Sequence, residues 1–265
     1  MKPDAADAFR PRRQPSGRSA LRHDDRDPAE PAAANGSFER GTVARYARGT
    51  EIIAQGDADS RIGLIVSGLV KVSMTSGNGD SYIVQILHEG QLVGDPWLGQ
   101  SAFSWGAATH AGICWLTPDS VLRSGGSDNT QLLGLSDTLA GQLREAQFSA
   151  LSLRGRNALQ RIAYWILAQI CCEPGPAEDK HIQILLTRRD LASLLDMTVE
   201  TLSRVMHQLD EHGAIALLTP DTLRVRDLAR LFDEAKLSSD SGEGELADNG
   251  WRWGSRVTQI GAKTV

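Results

Sequence analysis

Between residues 186 and 213 the chain reads LTRRDLASLLDMTVETLSRVMHQLDEHG, and no other segment constrains the fold as tightly. Thr187 followed three residues later by Asp190 is an acidic variant of the capping box, so it opens a helix through Leu191, Leu194 and Leu195. Asp196-Met197-Thr198 interrupts that helix. Thr198 then caps a second one, which Gly213 stops at the position where helices turn left-handed. Two short helices joined by such a break make a helix-turn-helix. A strand-like run, HIQILL, precedes it. A hairpin follows, with Thr219-Pro220-Asp221-Thr222 as its turn. Strand, helix, turn, helix and hairpin in that order describe a winged helix.

The second helix has two faces. At about 100° per residue, Val199, Leu202, Val205, Met206 and Leu209 fall in one arc, and Glu200, Arg204 and His207 fall opposite, with Ser203 on the flank. One face packs inward. The other presents a carboxylate, a guanidinium, an imidazole and a hydroxyl, groups that suit base edges in a major groove. Thr187, Arg188, Arg189 and Thr198 stand where helix N-termini and side chains hold phosphates, and His207 joins them as a candidate for the DNA backbone. Residues 156–236 carry ten basic against twelve acidic side chains, so binding must be concentrated on one surface. The whole chain agrees: 265 residues with a formal net charge of −5 do not make a basic nucleic-acid coat.

Upstream the periodicity differs. Residues 42–126 consist of short apolar runs (EIIA, IGLIVSG, LVKVSM, YIVQIL, GICWL) separated by Gly and Asp turns, and Asn78-Gly79 is a strong hairpin signal. Such spacing predicts a jelly roll or small barrel. From 129 to 156 the apolar residues recur at three and four: Leu132, Leu135, Leu139, Leu143, Ala146, Ala150 and Leu153. A helix of roughly 28 residues spans ~42 Å, more than a small roll covers, so part of its stripe is expected to meet a second subunit. Gln142 and Ser149, polar residues at heptad d positions, weaken that seam. Residues 154–157 read as a hinge: Gly155 disfavours helix and Asn157 caps the next one. The predicted organisation is a disordered tail (1–41), a roll that senses (42–126), a dimerisation helix and hinge (127–156), a winged helix-turn-helix (157–236) and a flexible C-terminal tail (237–265). The fold class is α+β.

Three cysteines, Cys114, Cys171 and Cys172, in a chain without a secretory signal fit a reducing, cytoplasmic setting without disulfides. No apolar run approaches the ~20 residues that span a bilayer. The roll holds only His88 and His110, too few for a cupin-type metal enzyme, so no catalytic or metal site is expected.

The segment LTRRDLASLLDMTVETLSRVMHQLDEHGAI resembles the DNA-binding signature of the CRP/FNR superfamily of bacterial transcription regulators, and Glu200, Ser203 and Arg204 are similar to its FNR and FixK branch. The preceding QGD, IVSGLVKV and GQLVGD resemble that family's cyclic-nucleotide-binding-like roll. The resemblance covers residues 42–236. It implies a homodimer on double-stranded DNA carrying a palindrome related to TTGAT-N4-ATCAA, with RNA polymerase as a further partner. By resemblance Arg204 reads the guanine, Glu200 its neighbourhood on the opposite strand and Ser203 an adjacent pair. Asp196 stands where the family commonly has Gly, which predicts strain in the turn.

The family's sensing chemistry is altered. Cyclic-AMP binders hold the phosphate with an Arg, yet residues 90–116 contain no Arg or Lys. The first 113 residues contain no Cys, and Cys114 alone cannot hold an iron–sulfur cluster. Neither cyclic AMP nor a cluster is expected, and His88 and His110 make a weak case for haem. Cys114 is assigned to the core. Trp97, Phe103, Trp105 and Trp115 either line an apolar effector pocket or fill the roll in place of a nucleotide, with filling favoured. A competing reading is a ligand-binding regulatory module whose winged helix contacts protein rather than DNA.

Overall fold

The computed structural model describes residues 43–59, 61–95, 99–116, 130–171, 181–237 and 258–261. Eight strands build the roll: β1 (Val43–Tyr46), β2 (Glu51–Ile53), β3 (Ile62–Ser67), β4 (Val70–Thr75), β5 (Ser81–Leu87), β6 (Leu92–Val93), β7 (Ser104–Ala107) and β8 (Ala111–Leu116). They form two antiparallel sheets of order β1-β8-β3-β6 and β2-β7-β4-β5. Alternation along β3 and β4 turns Ile65, Val70 and Val72 inward, where they meet Leu87, Val93 and Ile113. Asn78-Gly79 lies in the β4–β5 hairpin turn, as its turn chemistry predicts. At the β3–β4 turn Gly68 takes φ +80, and a Cβ there would stand 2.0 Å from the His110 carbonyl oxygen, so only glycine fits. β1, β6 and β7 are additions to the expected strands. They are short or, like SWGA in β7, poor in aliphatic residues, and only pairing with long neighbours makes them strands.

Helix α1 (Thr130–Leu153) leaves the roll. Its polar d positions have a use. The Gln142 amide donates to the Leu92 carbonyl and accepts from the Leu92 N–H, both at 3.0 Å, so the side chain pairs with the backbone of β6. Ser149 is buried. Leu135 packs on Ile62, Leu92 and Leu116 of the roll, whereas Leu133, Leu139, Leu143 and Leu151 are 43–62% exposed. One face of α1 therefore belongs to its own chain and a leucine-rich face does not.

The helix breaks where expected. Gly155 is left-handed, and Asn157 and Gln160 cap each other reciprocally at 3.0 Å, opening α2 (Ala158–Cys171). Arg156 stacks on Tyr164 at 4.1 Å. Then come β9 (His181–Ile184), α3 (Arg188–Leu194), α4 (Val199–Glu211), β10 (Ile215–Thr219), β11 (Thr222–Val225) and α5 (Leu228–Ala235). Trp165, Ile166, Ile182, Leu191, Leu202, Leu209 and Phe232 fill the core that α2 and α5 share with the helix-turn-helix. Within the segment expected to be a flexible C-terminal tail, β12 (Thr258–Gly261) pairs antiparallel with β9 and completes a sheet of order β10-β11-β9-β12. The unpaired edge of β9 offers main-chain groups that an extended segment satisfies. Cys114 is half-buried rather than fully enclosed. Among the described residues no helix is long and apolar enough to cross a membrane.

Candidate nucleic-acid interface

Both helices of the motif are capped as their sequence dictates. The Thr187 hydroxyl accepts from the Asp190 N–H at 3.0 Å and donates to its carboxylate at 2.7 Å. The Thr198 hydroxyl accepts from the Thr201 N–H at 3.2 Å. α4 then turns Leu202, Val205, Met206 and Leu209 into the core, none more than 4% exposed, and Val199 is half-buried. Glu200, Ser203, Arg204 and His207 are exposed. Arg204 has no hydrogen-bond or ion-pair partner among the described residues. The backbone N–H of Glu200, and after it the Thr198 hydroxyl, hold the Glu200 carboxyl below the usual carboxylate range, so it is a charged acceptor at neutral pH. A fixed acceptor and an open guanidinium four residues apart stand on one face, one turn of helix from each other.

The candidates for the DNA backbone divide. Arg189 and His207 project into solvent. Thr198 is exposed but its hydroxyl caps α4. The Thr187 hydroxyl is spent on Asp190. Arg188 is half-buried beside the wing turn, its Nε 3.8 Å from Asp221, and burial lowers its pKa more than Asp221 restores it. That places Arg188 within the domain's packing more than on its surface.

The three described aromatic candidates of the roll, Phe103, Trp105 and Trp115, share one apolar cluster. Trp105 is enclosed with Ile53, Val72 and Ile113, and its N–H donates to Ser101 Oγ at 3.1 Å. Phe103 is half-buried against that core. Trp115 donates to the Tyr46 hydroxyl at 2.9 Å and carries the Arg61 guanidinium at 4.3 Å from its ring. Trp97 lies outside the described residues. No group of three or more His, Cys, Asp or Glu stands together to hold a metal among the described residues.

Arg161 makes a structural contact to the motif that the sequence reading missed. From α2 its Nη1 donates to the Asp196 carbonyl at 2.8 Å, to the Leu195 carbonyl at 3.2 Å and to Asp196 Oδ2 at 3.2 Å, while its Nε reaches the Arg156 carbonyl at 3.1 Å. It ties the hinge to the turn between α3 and α4. Asp196 is left-handed with φ +52, the strain its sequence position predicts, and Arg161 holds both its carbonyl and its carboxylate. The available signal was a lone cation inside the apolar run ALQRIAYWIL.

Residues 43–123 match the cyclic nucleotide-binding domain and residues 160–233 the Crp-like helix-turn-helix domain. The nitrogen fixation regulation protein FixK of Azorhizobium caulinodans is 26% identical over 194 residues, 72% of this chain and 78% of that protein. The cyclic AMP receptor protein of Thermus thermophilus is 30% identical over 193 residues, 72% of this chain and 86% of that protein. Among solved structures, FixK2 from Bradyrhizobium japonicum superposes with a TM-score of 0.63 at 22% identity, covering 72% of this chain and 96% of that one.

Proposed function

Because this chain belongs to the CRP/FNR family of transcription regulators, on its FixK-like side, we propose that it acts as a homodimer reading a palindrome related to TTGAT-N4-ATCAA. Its relatives are transcription regulators rather than enzymes. The observation that carries the reading is the wet face of α4, where Glu200, Ser203 and Arg204 are exposed and Arg204 has no partner among the described residues. Arg204 donates two hydrogen bonds to guanine O6 and N7, Glu200 accepts from an exocyclic amino group on the opposite strand, and Ser203 reads an adjacent pair. Arg189 and His207 reach phosphates, and the N-termini of α3 and α4 add main-chain donors.

The exposed leucines of α1, Leu133, Leu139, Leu143 and Leu151, support a two-helix seam with a second copy, which sets two copies of α4 about one DNA turn apart. The regulator acts without cyclic AMP, haem or an iron–sulfur cluster. Residues 90–116 offer no cation to a cyclic phosphate, and the tryptophans fill the roll: Trp105 is enclosed and both described tryptophan N–H groups of the roll are already bonded within the chain. RNA polymerase is the protein partner, and the compartment is the cytoplasm.

Fluorescence anisotropy with full-length protein tests the reading. Nanomolar-range binding to the palindrome that weakens steeply with salt is expected. Salt-insensitive behaviour with no footprint would instead favour a winged helix that contacts protein.

A further inference from the structure

We propose that Lys71 and Asp190 dock the helix-turn-helix on its own roll with the reading face outward, and so act as positioning residues for recognition of two half-sites. The proposal rests on the DNA-binding reading above. Lys71 alternates with Val70 and Val72 on β4, so it leaves the sheet on the side away from the roll's core. Its Nζ nonetheless lies 2.7 Å from Asp190 Oδ1, across 119 residues of sequence. Asp190 is only 7% exposed. Its other carboxylate oxygen accepts from the Thr187 hydroxyl and its N–H is capped by the same group, so the carboxylate is rigidly part of the start of α3.

Two further polar contacts hold the same junction. β5 is an edge of its sheet, and the Ile83 N–H there donates to Ser193 Oγ of α3 at 3.0 Å. Arg48 donates to the Leu185 carbonyl at 3.2 Å. Beneath them Leu69, Ile86 and Ala108 of the roll belong to the same continuous apolar core as Leu191 and Leu202. Removing Lys71 leaves the Asp190 carboxylate, which is buried, without its counter-charge, and that is costly.

The consequence is a chain of rigid attachments. Gln142 fixes α1 to β6, the roll joins β6 to β4, Lys71 fixes β4 to α3, and the capped turn with Arg161 fixes α3 to α4. The separation and rotation of the two reading faces in a dimer are then set by side chains of the protein itself, and no bound effector is needed to hold them.

The test uses full-length protein, the palindrome, and palindromes with one base pair added to or removed from the spacer, a change that rotates one half-site by about 34° relative to the other. Lys71→Met is expected to weaken binding to the palindrome about tenfold, as when the docked population falls to about a tenth. Discrimination against the altered spacers should shrink with it. The slope of log affinity against log salt should stay unchanged, because Lys71 neutralises no phosphate. Lys71→Arg should restore both affinity and spacer discrimination, and Ser193→Ala should give a smaller loss of the same kind. Thermal unfolding of each variant monitors the folded fraction. Wild-type affinity and spacer preference in Lys71→Met overturn the proposal. So does tighter binding, which would make the contact a restraint, or a failure of Lys71→Arg to rescue a variant that remains folded. If the wild-type protein binds none of the palindromes, the DNA-binding reading falls, and this proposal with it.

Discussion

The roll and the winged helix dispose of their conspicuous side chains in opposite ways. In the roll the two described tryptophans have partners within the chain: Trp105 is enclosed and bonded to Ser101, and Trp115 is held between Tyr46 and Arg61. On α4 Ser203, Arg204 and His207 stay exposed, and Arg204 has no partner among the described residues. A guanidinium kept in water on a rigid, capped helix contributes little to folding and stays available to an external partner. An indole with its N–H satisfied internally is structure. Abundance of a residue type therefore misleads, and the partner each polar atom finds is the better guide.

The contrast can be broken from the roll side first. Trp105→Ala should cost ~3–5 kcal/mol of stability in denaturant unfolding, by loss of buried area and of its bond to Ser101. If that variant keeps its stability, the roll has spare space and an effector pocket becomes the better account of the tryptophans. Arg204→Ala should do the reverse: stability within about 0.5 kcal/mol of wild type, but ~1–3 kcal/mol lost in affinity for the palindrome, with preference relaxed at one guanine position.

Arg161→Ala lies between these limits. It leaves two carbonyls and a carboxylate at the turn without their donor and should destabilise the winged helix by ~1–2 kcal/mol. Asp196→Gly removes the left-handed strain and the carboxylate together, so the Arg161→Ala loss should be smaller in that background. Equal losses would show that Arg161 supports the domain generally and not this turn. The smallest effect belongs to the exposed Asp59–Arg61 pair. The Arg61 side chain, more than any other group, holds the Asp59 carboxyl below its ordinary value of 3.8. Its contribution is present above that unfolded value and is lost as pH falls through the lower folded one. Asp59→Ala should therefore lower stability at neutral pH by at most ~0.2–1 kcal/mol, and the gap from wild type should close as pH falls below about 4.

Much of the architecture was legible from local pattern. The two faces of α4, both threonine caps, the Asn157 cap and the Asn78-Gly79 hairpin depend on residues within a few positions of one another, and each formed as its spacing required. The left-handed Asp196 was legible for the same reason. What escaped was non-local. β7 is a strand because β2 and β4 flank it, and β12 because β9 has an open edge. Gln142 read as a flaw in a leucine seam until Leu92, fifty residues earlier, gave it a backbone to pair with. Arg188, a candidate phosphate contact, stands half-buried beside Asp221, a neighbour its local sequence does not announce.

Sequence alone determined the helices and the longer strands, where the helices are capped, and which side of the reading helix is dry, since periodicity and hydrogen bonding over three or four residues decide those matters. Only the tertiary structure decided which charges remain available. Lys71 and Asp190 are both ordinary surface residue types in their local context. Pairing them depends on two surfaces meeting, and whether a charge is solvated, paired or left open is a property of the space around it.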